Sequence, residues 1–179
     1  MKKNMYYVAV LFFALFVVEA QAQDDKANRP SPPAQATGSV DGIDITIDYS
    51  QPSVKGRKIF GGLEPYGKVW RTGANEATTF EVSGDVTVEG ETLPAGKYAL
   101  FTIPTEDQWT IIFNKTAEQW GAFKYDENED ALRVEVTPED SELTEQLTFD
   151  ISDDGAVSMM WADQKVTFGV SNAGQAREN

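Results

Sequence analysis

The chain contains no cysteine and no histidine. Without cysteine, stability rests on packing, with no disulfide and no lipid-acceptor thiol at a signal junction. Without histidine, the commonest general base and metal ligand is missing. Together these absences exclude Ser-His and Cys-His hydrolases, zinc sites of the His/Cys kind and haem ligation by either residue. Cations are scarce as well: 15 Lys and Arg stand against 29 Asp and Glu, a net charge of −14. Such an acidic body is a poor partner for nucleic acid or anionic lipid surfaces. No segment of ten or more residues carries a helical stripe of apolar positions. The longest apolar run, residues 5–18, is shorter than the roughly 20 residues a membrane span needs.

That run follows Lys2 and Lys3 and leads into Glu19-Ala20-Gln21-Ala22. A basic head, a short apolar core and an Ala-x-Ala site read as a secretory signal over residues 1–22, cut after Ala22. The expectation is an exported protein, periplasmic or secreted, with no transmembrane segment after cleavage. Residues 23–33 are polar, carry Pro30, Pro32 and Pro33, and read as a linker that is disordered in isolation. A single domain is expected over 34–171, with a fraying tail at 172–179.

Within that domain the signal is period 2. Asp41-Gly42 stands between Val40 and the alternating Ile43-Asp44-Ile45-Thr46-Ile47-Asp48-Tyr49, a hairpin pattern. Pro52 ends the second strand. From Thr78 onward, alternating runs follow one another: Phe80 and Val82, Val86 and Val88, residues 97–103, then Trp109, Ile111 and Phe113. Further runs carry Leu132, Val134 and Val136; Leu147, Phe149 and Ile151; Val157, Met159 and Trp161; and, past a turn near Asp163, Val166, Phe168 and Val170. Nine or ten short antiparallel strands with polar outer faces predict an all-β sandwich, with a barrel as the alternative.

Two stretches break the pattern. Residues 53–77 have no sustained period and are punctuated by glycine, and within 51–75 Lys55, Arg57, Lys58, Lys68 and Arg71 stand against the single acid Glu64. Long irregular excursions inside compact domains tend to be functional. Within Trp70-Arg71-Thr72-Gly73-Ala74-Asn75-Glu76-Ala77-Thr78, a guanidinium, an amide, a carboxylate and hydroxyls crowd beside an indole. Such a set suits a small polyhydroxylated or anionic ligand, with Arg71 as forked donor, Asn75 as donor and acceptor, and Trp70 as apolar platform. The same residues equally suit internal bonding, Arg71 pairing with Glu76 or strand carboxylates and Thr72 and Asn75 capping turns. Lys55-Gly56-Arg57 reads as an anion-facing turn or a solvated basic loop, without phosphate-loop spacing.

The second irregular stretch, residues 115–130, holds Trp120-Gly121, Phe123 and Tyr125, a second wall for a groove or a lid on the core. Asp126, Glu127, Asn128, Glu129 and Asp130 fail the calcium-loop pattern, since Ala131 stands where Gly and Thr137 where Glu is required. No cofactor or metal is expected. For catalysis, Glu76 opposite a second carboxylate is the arrangement a glycoside hydrolase would use; no nucleophile stands out.

Tyr49-Ser50-Gln51-Pro52-Ser53-Val54-Lys55-Gly56-Arg57, the run from Trp70 to Thr78, Leu93-Pro94-Ala95-Gly96-Lys97-Tyr98 and Trp120-Gly121 together resemble a secreted Bacteroidota family, domain of unknown function 2911. The likeness extends from about Ser31 to Val170. It implies a single exported domain and brings no activity. One departure is Gln51, where the family pattern implies Arg.

The expected site is therefore a groove built from Lys55, Arg57, Trp70, Arg71, Thr72, Asn75 and Glu76 with the Trp120 region. A carboxylate hydrolase and a purely structural envelope protein are the alternatives.

Overall fold

The nine or ten strands expected are ten among the described residues, 26–174, of the computed structural model. The signal over 1–22 and the end of the tail lie outside the described residues. β1 (Pro33–Val40) and β2 (Ile43–Ser50) form the expected hairpin, Val40 opposite Ile43. Asp41 and Gly42 have φ of 49° and 80°, so the turn is the two-residue type that demands left-handed backbone at both positions. Ile43, Ile45, Ile47 and Tyr49 are buried while Asp44 is exposed.

β3 (Thr79–Val82), β6 (Gly96–Ile103), β7 (Trp109–Asn114) and β8 (Asp130–Val136) extend that hairpin into a six-stranded sheet ordered β1-β2-β3-β6-β7-β8. β4 (Val86–Val88), β5 (Glu91–Leu93), β9 (Glu139–Ile151) and β10 (Ala156–Asn172) make a second sheet ordered β5-β4-β10-β9. All named pairings are antiparallel and both sheets keep open edges, so the fold is a sandwich rather than a closed barrel.

The turn expected near Asp163 is absent. The two runs around it are one strand, β10, which shifts register against β9 on both sides of Ala162, whose φ is 56°. A bulge of this kind re-phases the side chains without ending the ladder, and an interruption of the alternation is all that sequence records of it. β9 likewise starts well before Leu147, because its first half lies mostly exposed and shows no apolar alternation. At the tail, Asn172 still belongs to β10, and Ala173 is buried with its N–H donated to Asp85 O.

Between the sheets, Trp109, Trp161, Phe80, Phe113 and Phe168 form an aromatic core. The 53–77 excursion closes one end of it. After Pro52 the chain crosses to the edge of β9, Val54 N–H donating to Glu145 O and Leu147 N–H to Pro52 O. Phe60 and Trp70 then plug the sandwich, their rings against Trp109 and Trp161. Within residues 68–71 a single bridge, Trp70 opposite Thr102, takes the place beside β6 that β3 leaves.

β6 and β7 are buried on both faces over part of their length. Ala99, Phe101 and Ile112 make a second apolar cluster outside the six-stranded sheet, covered by Ala122 and Tyr125 of the second irregular stretch. That stretch is therefore held against the outer sheet face, and its placement creates the site.

Candidate functional site

Residues 70–78 are built by internal bonds. Trp70 Nε1 donates to Gly73 O at 3.0 Å, Thr78 Oγ1 to Thr72 O at 2.8 Å, and Thr72 Oγ1 lies 3.2 Å from Thr102 Oγ1. Asn75, at φ 59°, donates through Nδ2 to Ser31 O and Ser50 Oγ at 3.0 and 3.2 Å. These bonds aim the next three residues at the second irregular stretch. Ala77 N–H donates to Gln119 O at 2.9 Å and Gly121 N–H to Asn75 O at 3.1 Å, so Glu76 and Trp120 stand opposite each other. Directly opposed residues of an antiparallel pair project to the same face.

That face borders a cleft of about 630 Å³. Its floor is the outer surface of the six-stranded sheet, with Asp48 of β2, Thr79 of β3 and Lys97 of β6; its walls are residues 26–33 and the stretch ending in Trp120. Both Glu76 carboxylate oxygens accept from Arg29 Nη1, at 3.0 and 2.8 Å, and Lys26 Nζ is 3.4 Å away. Lys97 Nζ lies 3.7 Å from Asp48 and 3.7 Å from Glu81. The Arg29 guanidinium sits 5.9 Å from the Trp120 ring centroid, within cation–π range, and Trp120 is 57 % exposed. Burial works against the ionised form of Glu76, but a backbone hydrogen bond, Arg29 and Lys26 outweigh it and hold the carboxyl below its usual range. Two polar atoms of cleft-lining residues, Thr79 Oγ1 and Gln119 Oε1, are buried without a hydrogen-bond partner.

The expected groove is thus divided. Glu76 and Trp120 meet in the cleft. Trp70 does not join them: it is 3 % exposed in the aromatic core, because its ring completes the packing of Trp109 and Trp161, and it offers no ligand platform. Thr72 is equally buried and its hydroxyl is taken up internally, while Asn75 is a strut between loop and hairpin. Lys55 and Arg57 border a separate, smaller depression with Pro30 and Ser31. Their loop is a tight turn, Lys55 and Gly56 both at positive φ, with Arg57 N–H donating to Val54 O. Lys55 N–H is taken by Glu145, and the Arg57 guanidinium folds back on the carbonyls of Val54 and Ser53, so this turn's donors are largely engaged. Gln51, the family departure, donates to Leu147 O at the seam between the sheets.

Arg71 pairs with neither Glu76 nor a strand carboxylate; its Nε is buried and unpartnered. Its charge acts on Glu64, whose carboxyl is pushed up to about 7 by burial, which outweighs the pull of Arg71 and Arg57. Sequence reasoning missed Arg29 and Lys26, which fall in the stretch read as linker, and the floor residues Asp48, Thr79 and Lys97. The floor positions had a faint signal, since Asp48 and Lys97 are outward members of their strands; Arg29 had none.

In the acidic turn, Asp126 caps a short helical turn through Asn128, and Asp130 accepts from Asn114, Tyr125 and Arg133. Burial and Asp130 push the Tyr125 hydroxyl up to about 12, so it stays protonated as a donor. Among the described residues no group of three or more Asp and Glu is placed to hold a metal ion, and no helix is long and apolar enough to cross a membrane.

Residues 31–170 match a family described as a protein of unknown function, DUF2911. No curated protein and no solved structure matches.

Proposed function

From membership in the DUF2911 family, to which this chain belongs and whose description carries no activity, we propose that the protein is an exported binding protein for a small polar molecule, held between Trp120 and the outer sheet face. The observation that carries this reading is an exposed indole beside a polar-floored cleft of about 630 Å³. Small-ligand sites fall at roughly 300–1,000 Å³, and combine an apolar wall with a few placed polar groups. Tryptophan is highly buried on average, so leaving one at the mouth of a cleft forgoes burial that the other three achieve. The leader pattern at residues 1–22 supports export.

A hydrolase built on Glu76 has less support. Glycoside hydrolysis needs a protonated acid across from a carboxylate. Glu76 is kept ionised by Arg29 and Lys26, which suits it to accept hydrogen bonds and not to donate a proton near neutral pH. A purely structural role fits Thr72 and Asn75 but leaves the exposure of Trp120 unexplained.

The test uses the protein's own reporter. Trp70, Trp109 and Trp161 are at most 3 % exposed, so ligand-induced quenching of tryptophan emission reports on Trp120. Screened against sugars, sugar acids, amino sugars, amino acids and phosphate, at least one class is expected to quench emission and raise the unfolding temperature, with both effects lost in Trp120→Ala. Silence across the whole panel overturns the reading.

A further inference from the structure

We infer that the cleft takes an uncharged, polyhydroxylated ligand, a neutral saccharide, in preference to an anion or a cation. The inference rests on the cleft being a binding site and concerns what it selects. The cations at its border are already matched: Arg29 and Lys26 on Glu76, Lys97 between Asp48 and Glu81. An entering anion meets cations whose charge those carboxylates already offset, together with Glu118 on the same wall and a chain of net charge −14. An entering cation meets Arg29 already seated against both Glu76 and the Trp120 ring.

A hydroxyl ligand displaces none of these pairs. An ionised carboxylate has about four lone-pair directions, so Glu76 and Asp48 can accept from sugar hydroxyls while keeping their cations. The indole of Trp120 supplies an apolar face of the size of a pyranose ring beside these polar groups, the combination that an amphipathic sugar requires.

The test titrates the purified protein with neutral gluco-, manno- and galacto-oligosaccharides, the matching uronates, the matching amino sugars and inorganic phosphate, reading tryptophan emission and calorimetric heat. Titrations at about 0.05 and 0.5 M NaCl separate charge-driven from neutral binding, because screening lengths differ several-fold between them. The expected result is binding of a neutral member with less than about twofold change across that range. Trp120→Ala is expected to weaken it by about tenfold or more. Binding confined to uronates or phosphate and collapsing with salt overturns the inference while leaving the cleft a binding site. Binding confined to amino sugars does the same, by showing that a ligand replaces Arg29. If no probe of any charge perturbs Trp120, the binding-site reading falls, and this inference with it.

Discussion

Trp70 and Trp120 both stand in irregular segments, each close to a glycine, and the molecule uses them in opposite ways. Trp70 is stacked on Trp161 at 5.6 Å with its Nε1 bonded to Gly73 O, a fixed part of the core. Trp120 is 57 % exposed and touches a guanidinium from a different part of the chain. The difference lies in what surrounds each loop. Residues 53–77 close the end of a sandwich whose core needs large rings there, so their aromatic residues and polar caps are absorbed. Residues 115–125 lie on the outer sheet face, where Ala122 and Tyr125 suffice to cover Phe101 and Ile112, leaving Trp120 for the cleft.

Substitution sharpens that contrast. Trp70→Ala is expected to cost about 3–5 kcal/mol in denaturant unfolding, the usual range for a buried aromatic residue. Asn75→Ala removes two hydrogen bonds and places Ala at φ 59°, for a loss of about 2 kcal/mol, while Asn75→Gly recovers about 1 of it by relieving the backbone. If Asn75→Gly proves as damaging as Asn75→Ala, the cost lies in the side-chain bonds alone.

Glu64→Gln is expected to stabilise the fold near neutral pH by about 1 kcal/mol, a figure reduced from the full shift because the carboxyl is partly solvated. Its folded pKa, about 7, lies above the unfolded value of 4.5, so the folded state holds a proton that the unfolded state has lost between those values. Stability therefore falls as pH rises from 4.5 to about 7, and the variant flattens that slope. An unchanged slope in Glu64→Gln places the titration elsewhere.

Glu76 has the opposite sign. Its carboxyl is held below the ordinary range, so its contribution is present above the unfolded pKa and is lost as pH falls through the folded one. The pair with Arg29 is half-exposed, and Arg29→Ala and Glu76→Gln are each expected to cost less than about 1 kcal/mol, with the double variant no worse than either alone. Smallest of all is the effect of Trp120→Ala on stability, within about 0.5 kcal/mol, measured beside Trp70→Ala. A loss of about 2 kcal/mol or more at Trp120 would make it a packing residue and erase the contrast.

The sandwich was legible because alternation is local. Ile43, Ile45 and Ile47 announce both a strand and its buried face, and Asp41-Gly42 announces the turn. The Ala162 bulge was not legible, since a bulge and a turn leave the same interruption in a period-2 pattern. Of the candidate site, Glu76 and Trp120 were legible as chemistry-bearing residues in irregular stretches. Trp70, Thr72 and Asn75 carried the same signal and proved to be framework, because composition does not distinguish a polar group bonded inward from one facing outward.

Sequence by itself determined most of the strands, the acidic composition, the exclusion of histidine and cysteine chemistry, and family membership over residues 31–170. Each of these is a property of neighbouring residues or of the whole composition. Tertiary structure alone decided that Arg29 reaches Glu76, 47 residues away, that Glu76 faces Trp120, and that Thr79 and Gln119 share a cleft. Those juxtapositions depend on how separate strands and loops are laid against one sheet face, and no local pattern encodes a distance across it.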